Sequence, residues 1–269
     1  MDAGTIQTIL ALASGAVVGL SLGVVGGGGS ILAVPLLYYV VGVASPHVAI
    51  GTGAAAVAAT AALGLLGHAR AGTVKWPCAL TFALAGVVGA TAGASVGQTI
   101  DGEVLLSLFG LLMIAVGFLM LRPRSAGTNG SVSLNRETAR RLLPALAGLG
   151  LAVGFASGFF GIGGGFLIVP GLISATAMPI LNAIGSSLVS VTAFGGTTAA
   201  SYAWAGLVDW WIALLFIAGG LAGSQIGTRV ARRLASSERA LSLTFASFVV
   251  VAGFYVAIRG MGAWVALAP

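Results

Sequence analysis

The chain has 269 residues, of which 58% are apolar and 7% charged; an ordinary soluble domain carries about 25% charged residues, so a water-facing surface cannot be assembled from these. A soluble globule is excluded in favour of a polytopic membrane protein, and the net charge of +6 then reports topology rather than nucleic-acid binding, because the basic residues cluster between apolar stretches. Cys78 stands alone, which excludes an internal disulfide and a multi-cysteine metal site and leaves a small packing residue.

A helix needs about 20 apolar residues to cross the hydrocarbon, whereas runs of about 10 to 14 more often re-enter or stay buried. The first candidate span covers residues 5–25, and no Lys or Arg precedes Arg70. The basic region of a secretory signal is therefore missing, and this span is expected to be retained. Next come Gly26-Gly27-Gly28-Gly29-Ser30 and a short apolar run, 31–44, containing Pro35; spans follow at 49–67, 76–98 and 104–121. The polar, Pro- and Gly-containing stretch from Arg122 reads as a connector, with Asn135 as a candidate N-cap and the next helix beginning between Arg136 and Arg141. The second half repeats the order: a span at 142–160, Gly161-Ile162-Gly163-Gly164-Gly165, a short run at 166–178 containing Pro170, and spans at 183–204, 210–229 and 239–258. The domains are thus a first transmembrane repeat over 1–121, a cytoplasmic linker over 122–141 and a second repeat over 142–269.

The halves match beyond the glycine runs. At an offset of 134 residues Ile50-Gly51-Thr52 meets Ile184-Gly185-Ser186, Ala71-Gly72 meets Ala205-Gly206, Trp76 meets Trp210, and Gly86, Gly89 and Gly93 meet Gly220, Gly223 and Gly227. An ordered match over this length indicates internal duplication. If each half has five crossings, the loops at 68–75, 122–141 and 229–239 share one side and hold 11 of the 12 basic residues, with only Arg259 opposite. The Lys and Arg excess marks the cytoplasmic side, so both termini are expected outside. An odd number of crossings makes the repeats inverted, and the parity survives if each short run re-enters with its predecessor. The expected fold is therefore an all-α polytopic membrane protein of two inverted repeats, each of about five segments, with short or broken helices after the glycine motifs.

Glycine-rich backbone holds a helix poorly, and a bilayer tolerates irregular backbone only where protein buries it or a cavity borders it. Paired breaks of this kind in two halves point to a transporter's binding site. Exposed helix N-termini favour anions, so the candidate substrate-binding groups are Gly28, Gly29 and Ser30 with Gly163, Gly164 and Gly165. Small residues packing helices together are the bland alternative. Thr52, Ser186 and Ser187 follow the repeat and add hydroxyls, with Ser190, Thr192, Thr197 and Thr198 further along; any of these could instead bond its own helix. Asn182, four residues before Ser186, is a candidate amide ligand or a cap. The four-residue glycine spacing at Gly89, Gly93 and Gly97 and at Gly219, Gly223 and Gly227 suits close helix packing. His47 and His68 read as interfacial anchors more than proton relays, and Trp76, Trp210 and Trp211 as belt residues.

No stretch matches a phosphate-cradling loop ending in Gly-Lys-Ser or Gly-Lys-Thr, and Lys75 is the only lysine. There is no paired-histidine zinc motif and no carboxylate in mid-membrane, so no catalytic residue, metal site or cofactor is expected and the chain is not read as an enzyme.

The Gly26–Pro35 and Gly161–Pro170 motifs, with Ala71–Trp76 and Ala205–Trp210, resemble the sulfite exporter TauE/SafE family, also called the toluene sulfonate uptake permease family. The resemblance covers nearly the whole chain outside the termini and linker. It implies a secondary carrier in the bacterial inner membrane that moves small sulfur-containing or organic anions such as sulfite, sulfonates or sulfoacetate. A passive anion channel and a non-transporting scaffold subunit are the alternatives. The expected partners are a small anion and the lipid bilayer, not nucleic acid; the coupling ion, a proton by analogy, the direction of transport and the oligomeric state stay open.

Overall fold

The computed structural model describes residues 3–121, 136–163, 165–233, 246–247 and 249–260, and among them every regular element is helical. In the first half, α1 (Ala3–Val25) leads into a 3-10 helix (Gly26–Leu32), one turn of α2 (Ala33–Pro35) and a π-helical turn (Leu36–Val40). Then come α3 (Pro46–Arg70), α4 (Trp76–Gly97) and α5 (Gly102–Leu121). The second half holds α6 (Arg136–Phe160), α7 (Gly165–Thr176), α8 (Ile180–Trp204), α9 (Trp210–Arg233) and α10 (Val249–Gly260). Each apolar run expected from the sequence corresponds to one of these; α6 begins at Arg136, within the expected range, with its apolar span at Leu142–Phe160. Asn135, Arg122, Arg124, Arg239 and Gly164 lie outside the described residues. Among the described residues seven helices, α1, α3, α4, α5, α6, α8 and α9, are long and apolar enough to cross a bilayer.

Local chemistry explains the helix ends. Ser45 Oγ accepts a hydrogen bond from Val48 N at 3.2 Å and Pro46 occupies the first turn of α3, a standard start. α3 ends where Gly72 turns to φ 68°, letting Thr73 N donate to His68 O and Gly72 N to Ala69 O. α8 ends in the same way at Gly206, φ 72°, with Leu207 N donating to Tyr202 O. Both are Schellman stops, in which a left-handed glycine satisfies the last carbonyls. The Oδ1 of Asp101 accepts from Glu103 N at the start of α5, and the Oδ1 of Asp209 accepts from Ile212 N at the start of α9.

Two parallel helix pairs flank an antiparallel one. In α4 and α6, a Cβ added at Gly89 or Gly93 would fall on the carbonyls of Leu151 or Phe155, and one at Gly154 on Gly86. In α9 and α1, Gly223 and Gly227 approach Ala16 and Leu20 in the same manner, and Gly19 approaches Gly220. These contacts match between the pairs, residue for residue, near an offset of 134. α3 and α8 run antiparallel between them: Gly51 lies against Tyr202, Gly195 against Ala58 and Gly64 against Leu188. Phe82 and Phe194 stack at 6.2 Å beside Gly86 in the core. Outward-facing Leu84, Val88, Trp204, Trp210, Trp211 and Leu214 are exposed, as on a lipid-facing surface.

The short segments do not cross. At 12 residues, α7 reaches only about 18 Å, well short of the hydrocarbon thickness. After α6 the chain reverses, and Gly171 returns to the level of Phe82 and Val153. In the first half Gly29 packs back on Ser21 and Leu22, and Ala33 and Leu37 then lie against Gly53. Each short segment thus returns to the end of the bundle from which its predecessor came. As a result Arg70, Lys75, the start of α6 and the end of α9 share one end, while Asp101, Glu103, Asp209 and Arg259 share the other.

The first glycine run interrupts the α-helix as expected: Gly26–Leu32 is a 3-10 helix, and Gly29 lies against Ser21 and Leu22, a contact that a helix continuing straight at a rise of about 1.5–2 Å per residue could not make. The absent Cβ is what lets Gly29 sit against the backbone of Ser21 and Leu22 where the chain turns back.

Candidate functional site

The second glycine motif is an open reversal. Gly161 and Gly163 have φ 67° and 63°, values a side chain would strain, and Ile162 N donates to Ser157 O at 3.3 Å. A Cβ at Gly161 would strike Ile50 of α3. One at Gly163 would lie 3.0 Å from Val57 Cγ1 and 3.3 Å from Val191 Cγ1. Val57 and Val191 are counterparts in the two halves, and each lies next to the midpoint of its 25-residue helix, α3 or α8. The reversal therefore sits halfway along the bundle, between equivalent residues of the two halves. Gly165 opens α7 immediately after it. The first motif joins the same region: its 3-10 helix, which carries Gly28, Gly29 and the fully buried Ser30, packs against α7 and α8.

The remaining sequence candidates go elsewhere. Thr52 Oγ1 accepts from Asp209 N at 2.9 Å, and Ser186 Oγ accepts from Lys75 N at 2.9 Å. Thr52 stands near the start of α3 and Ser186 beside the loop that follows its end, about 27 Å away at the helical rise over Thr52–Arg70. They do not share one small-ligand site. Asn182 Nδ2 donates to Thr73 O at 2.9 Å, and Ser187 Oγ donates to Ile184 O at 2.8 Å. Thr192, Thr197 and Thr198 each donate to the carbonyl four residues back, the local bonding expected of hydroxyls within helices. Replacing Asn182 by Ala leaves the Thr73 carbonyl without that donor; the expected result is a loss of about 1–3 kcal/mol, seen as a lower thermal midpoint in detergent.

Two further groups, Ser157 and Tyr202, were not among the sequence candidates, and Ser190 and His47 gain weight in the structure. The Ser157 and Ser190 hydroxyls and the Tyr202 hydroxyl are buried without a hydrogen-bond partner, as is His47 Nδ1, whose ring lies 6.3 Å from that of Tyr202. Buried polar groups are ordinarily paired, so orphans of this kind call for a ligand or water. Ser157 supplies the carbonyl that holds Ile162, and Ser190 immediately precedes Val191, so both adjoin the reversal. Their repeat counterparts are Leu22 and Ala56, so duplication gave no hint of them. At the acidic end, Tyr38 Oη donates to Glu103 Oε1 at 2.6 Å, Tyr39 packs edge-on against Tyr38 and Tyr255, and Arg259 lies over the Tyr255 ring.

An all-helical apolar bundle with half-length segments reversing at mid-depth, beside buried hydroxyls, defines a polytopic membrane protein built like a transporter. The family model described as sulfite exporter TauE/SafE matches residues 11–256, and the chain belongs to that family. It is 50% identical over 263 residues to a "Probable membrane transporter protein" of Xylella fastidiosa (strain 9a5c), covering 97% of this chain and 100% of that one. It is 29% identical to the "Probable membrane transporter protein YunE" of Bacillus subtilis (strain 168), with 81% and 88% of the two chains covered. A probable membrane transporter of Methanocaldococcus jannaschii is 25% identical over 89% of this chain and 93% of its own. No solved structure gives a significant match.

Proposed function

We propose that the chain is a secondary carrier for small sulfur-containing or organic anions, sulfite and sulfonates foremost, working by alternating access between two inverted repeats. The observation that carries this reading is the Gly163 reversal wedged between Val57 and Val191 at the middle of α3 and α8. Irregular backbone at mid-depth beside orphan hydroxyls is where transporters hold their substrates. The antiparallel α3 and α8, the matching glycine seams and the two returning segments support inversion. The reading gives each half three net crossings, the expected span 239–258 supplying the last, with the basic end cytoplasmic by the positive-inside rule, both termini outside, and the inner membrane as location. Backbone N–H groups and dipoles suit a small anion, since no basic side chain lies at that depth among the described residues.

The test is flux of sulfite, a sulfonate and sulfate into proteoliposomes. Saturable uptake with counter-transport, lowered at least tenfold by Gly163→Leu, is the expected result: the strained left-handed backbone and the contact with Val57 and Val191 amount to several kcal/mol of misfit. Flux that does not saturate identifies a channel instead, and no flux of any anion refutes transport.

A further inference from the structure

Two of the bonds above occupy equivalent places in the two halves. Thr52 Oγ1 accepts from Asp209 N, and Ser186 Oγ accepts from Lys75 N, each at 2.9 Å; Thr52 and Ser186, and likewise Lys75 and Asp209, are counterparts at the 134-residue offset. In each case a hydroxyl near the start of one repeat's central helix holds the first residue before a helix of the other repeat. The surrounding backbone matches too: Ala79 N donates to Lys75 O and Ala213 N to Asp209 O, both at 2.9 Å, and both loops begin with the same glycine stop. Both hydroxyls are fully buried. The two bonds lie at opposite ends of α3 and α8, and both are formed in this structure.

We propose that Thr52 and Ser186 are paired latches, one at each end of the bundle, that close the two entrances to the central site and must release in alternation. They are positioning residues: each acts on the loop that carries the other repeat's helix, not on the substrate. The inference rests on alternating access as the proposed function. Both latches are made in this structure. The latches differ in strength. At the Lys75 end, Asn182 Nδ2 also donates to Thr73 O and His68 Nδ1 is bonded to Thr73 Oγ1, both at 2.9 Å. At the Asp209 end, Val48, Leu207 and Tyr202 stand in the equivalent positions; Val48 and Leu207 have no polar side-chain group, and the Tyr202 hydroxyl has no partner. The Asp209 end is therefore the readier to open.

The experiment uses single-cysteine reporters in the full chain with Cys78→Ala, reconstituted in vesicles opened so that a membrane-impermeant maleimide reaches both faces. Ala49→Cys and Ala183→Cys are equivalent positions, both fully buried, three residues before each latch. The expected result is that Ser186→Ala raises labelling at 183 about fivefold, the effect of one lost hydrogen bond, without raising it at 49. Thr52→Val is expected to do the reverse, while Ser186→Thr and Thr52→Ser, which keep the hydroxyl, stay at the parent rates. In the parent the reporter at 49 labels faster than that at 183. Equal rises at both positions with either substitution, or no change with both, overturn the latches. Labelling is measured without substrate, so reciprocal labelling in a protein that carries no anion upholds the latches while refuting the transport reading.

Discussion

Gly223→Leu and Gly89→Leu are expected to abolish folded protein, with no monodisperse peak on gel filtration in detergent. At both sites even a Cβ would fall on the backbone of the neighbouring helix, on Ala16 in one case and Leu151 in the other. No side-chain rotation relieves a clash with backbone, so the helices must part. Overpacking by a single methylene already costs about 1–3 kcal/mol. In a bilayer no hydrophobic drive rejoins separated helices, because lipid covers the exposed faces equally well. Gly148→Leu and Gly196→Leu are the controls: both sites lie on helices with nothing within 4 Å of an added Cβ, and both variants are expected to fold. Equal recovery of all four variants contradicts the glycine seams.

Ser157→Ala and Ser190→Ala are each expected to leave the fold intact and lower transport about tenfold. Each hydroxyl is buried without a partner, so its deletion breaks no protein bond and removes an unsatisfied group whose burial costs about 1–3 kcal/mol. The thermal midpoint is therefore expected to hold or rise. If the hydroxyls meet the substrate, each deletion lowers uptake by about tenfold, the effect of losing one hydrogen bond to a charged group. Opposite movement of stability and flux separates a substrate contact from a structural role. A fall in midpoint with unchanged uptake assigns both serines to structure.

Much of the architecture was legible because apolar run length and the bilayer's thickness constrain the same quantity. The helices follow the expected runs, and the halves match at the offset read from Ile50–Thr52 and Ile184–Ser186. The two glycine motifs look alike in sequence but fold differently. Gly161 and Gly163 take left-handed backbone, whereas Gly26–Leu32 turns back through a 3-10 helix, since the outcome depends on what each packs against. Thr52, Ser186 and Asn182 were recognisable as paired or neighbouring polar positions, but their work was not. Their partners lie 157, 111 and 109 residues away, and no local pattern carries that information.

Composition and the length of the apolar runs by themselves determined that this chain lives in a membrane and where its helices fall. These follow from transfer energies summed residue by residue, which need no knowledge of neighbours. Only the tertiary structure decided that the short segments turn back, that Gly163 meets Val57 and Val191 at mid-depth, and which hydroxyls are spent on loops and which are left without partners. A hydrogen bond or a steric contact depends on a few tenths of an ångström between residues far apart in the chain, and only the packed fold sets those distances.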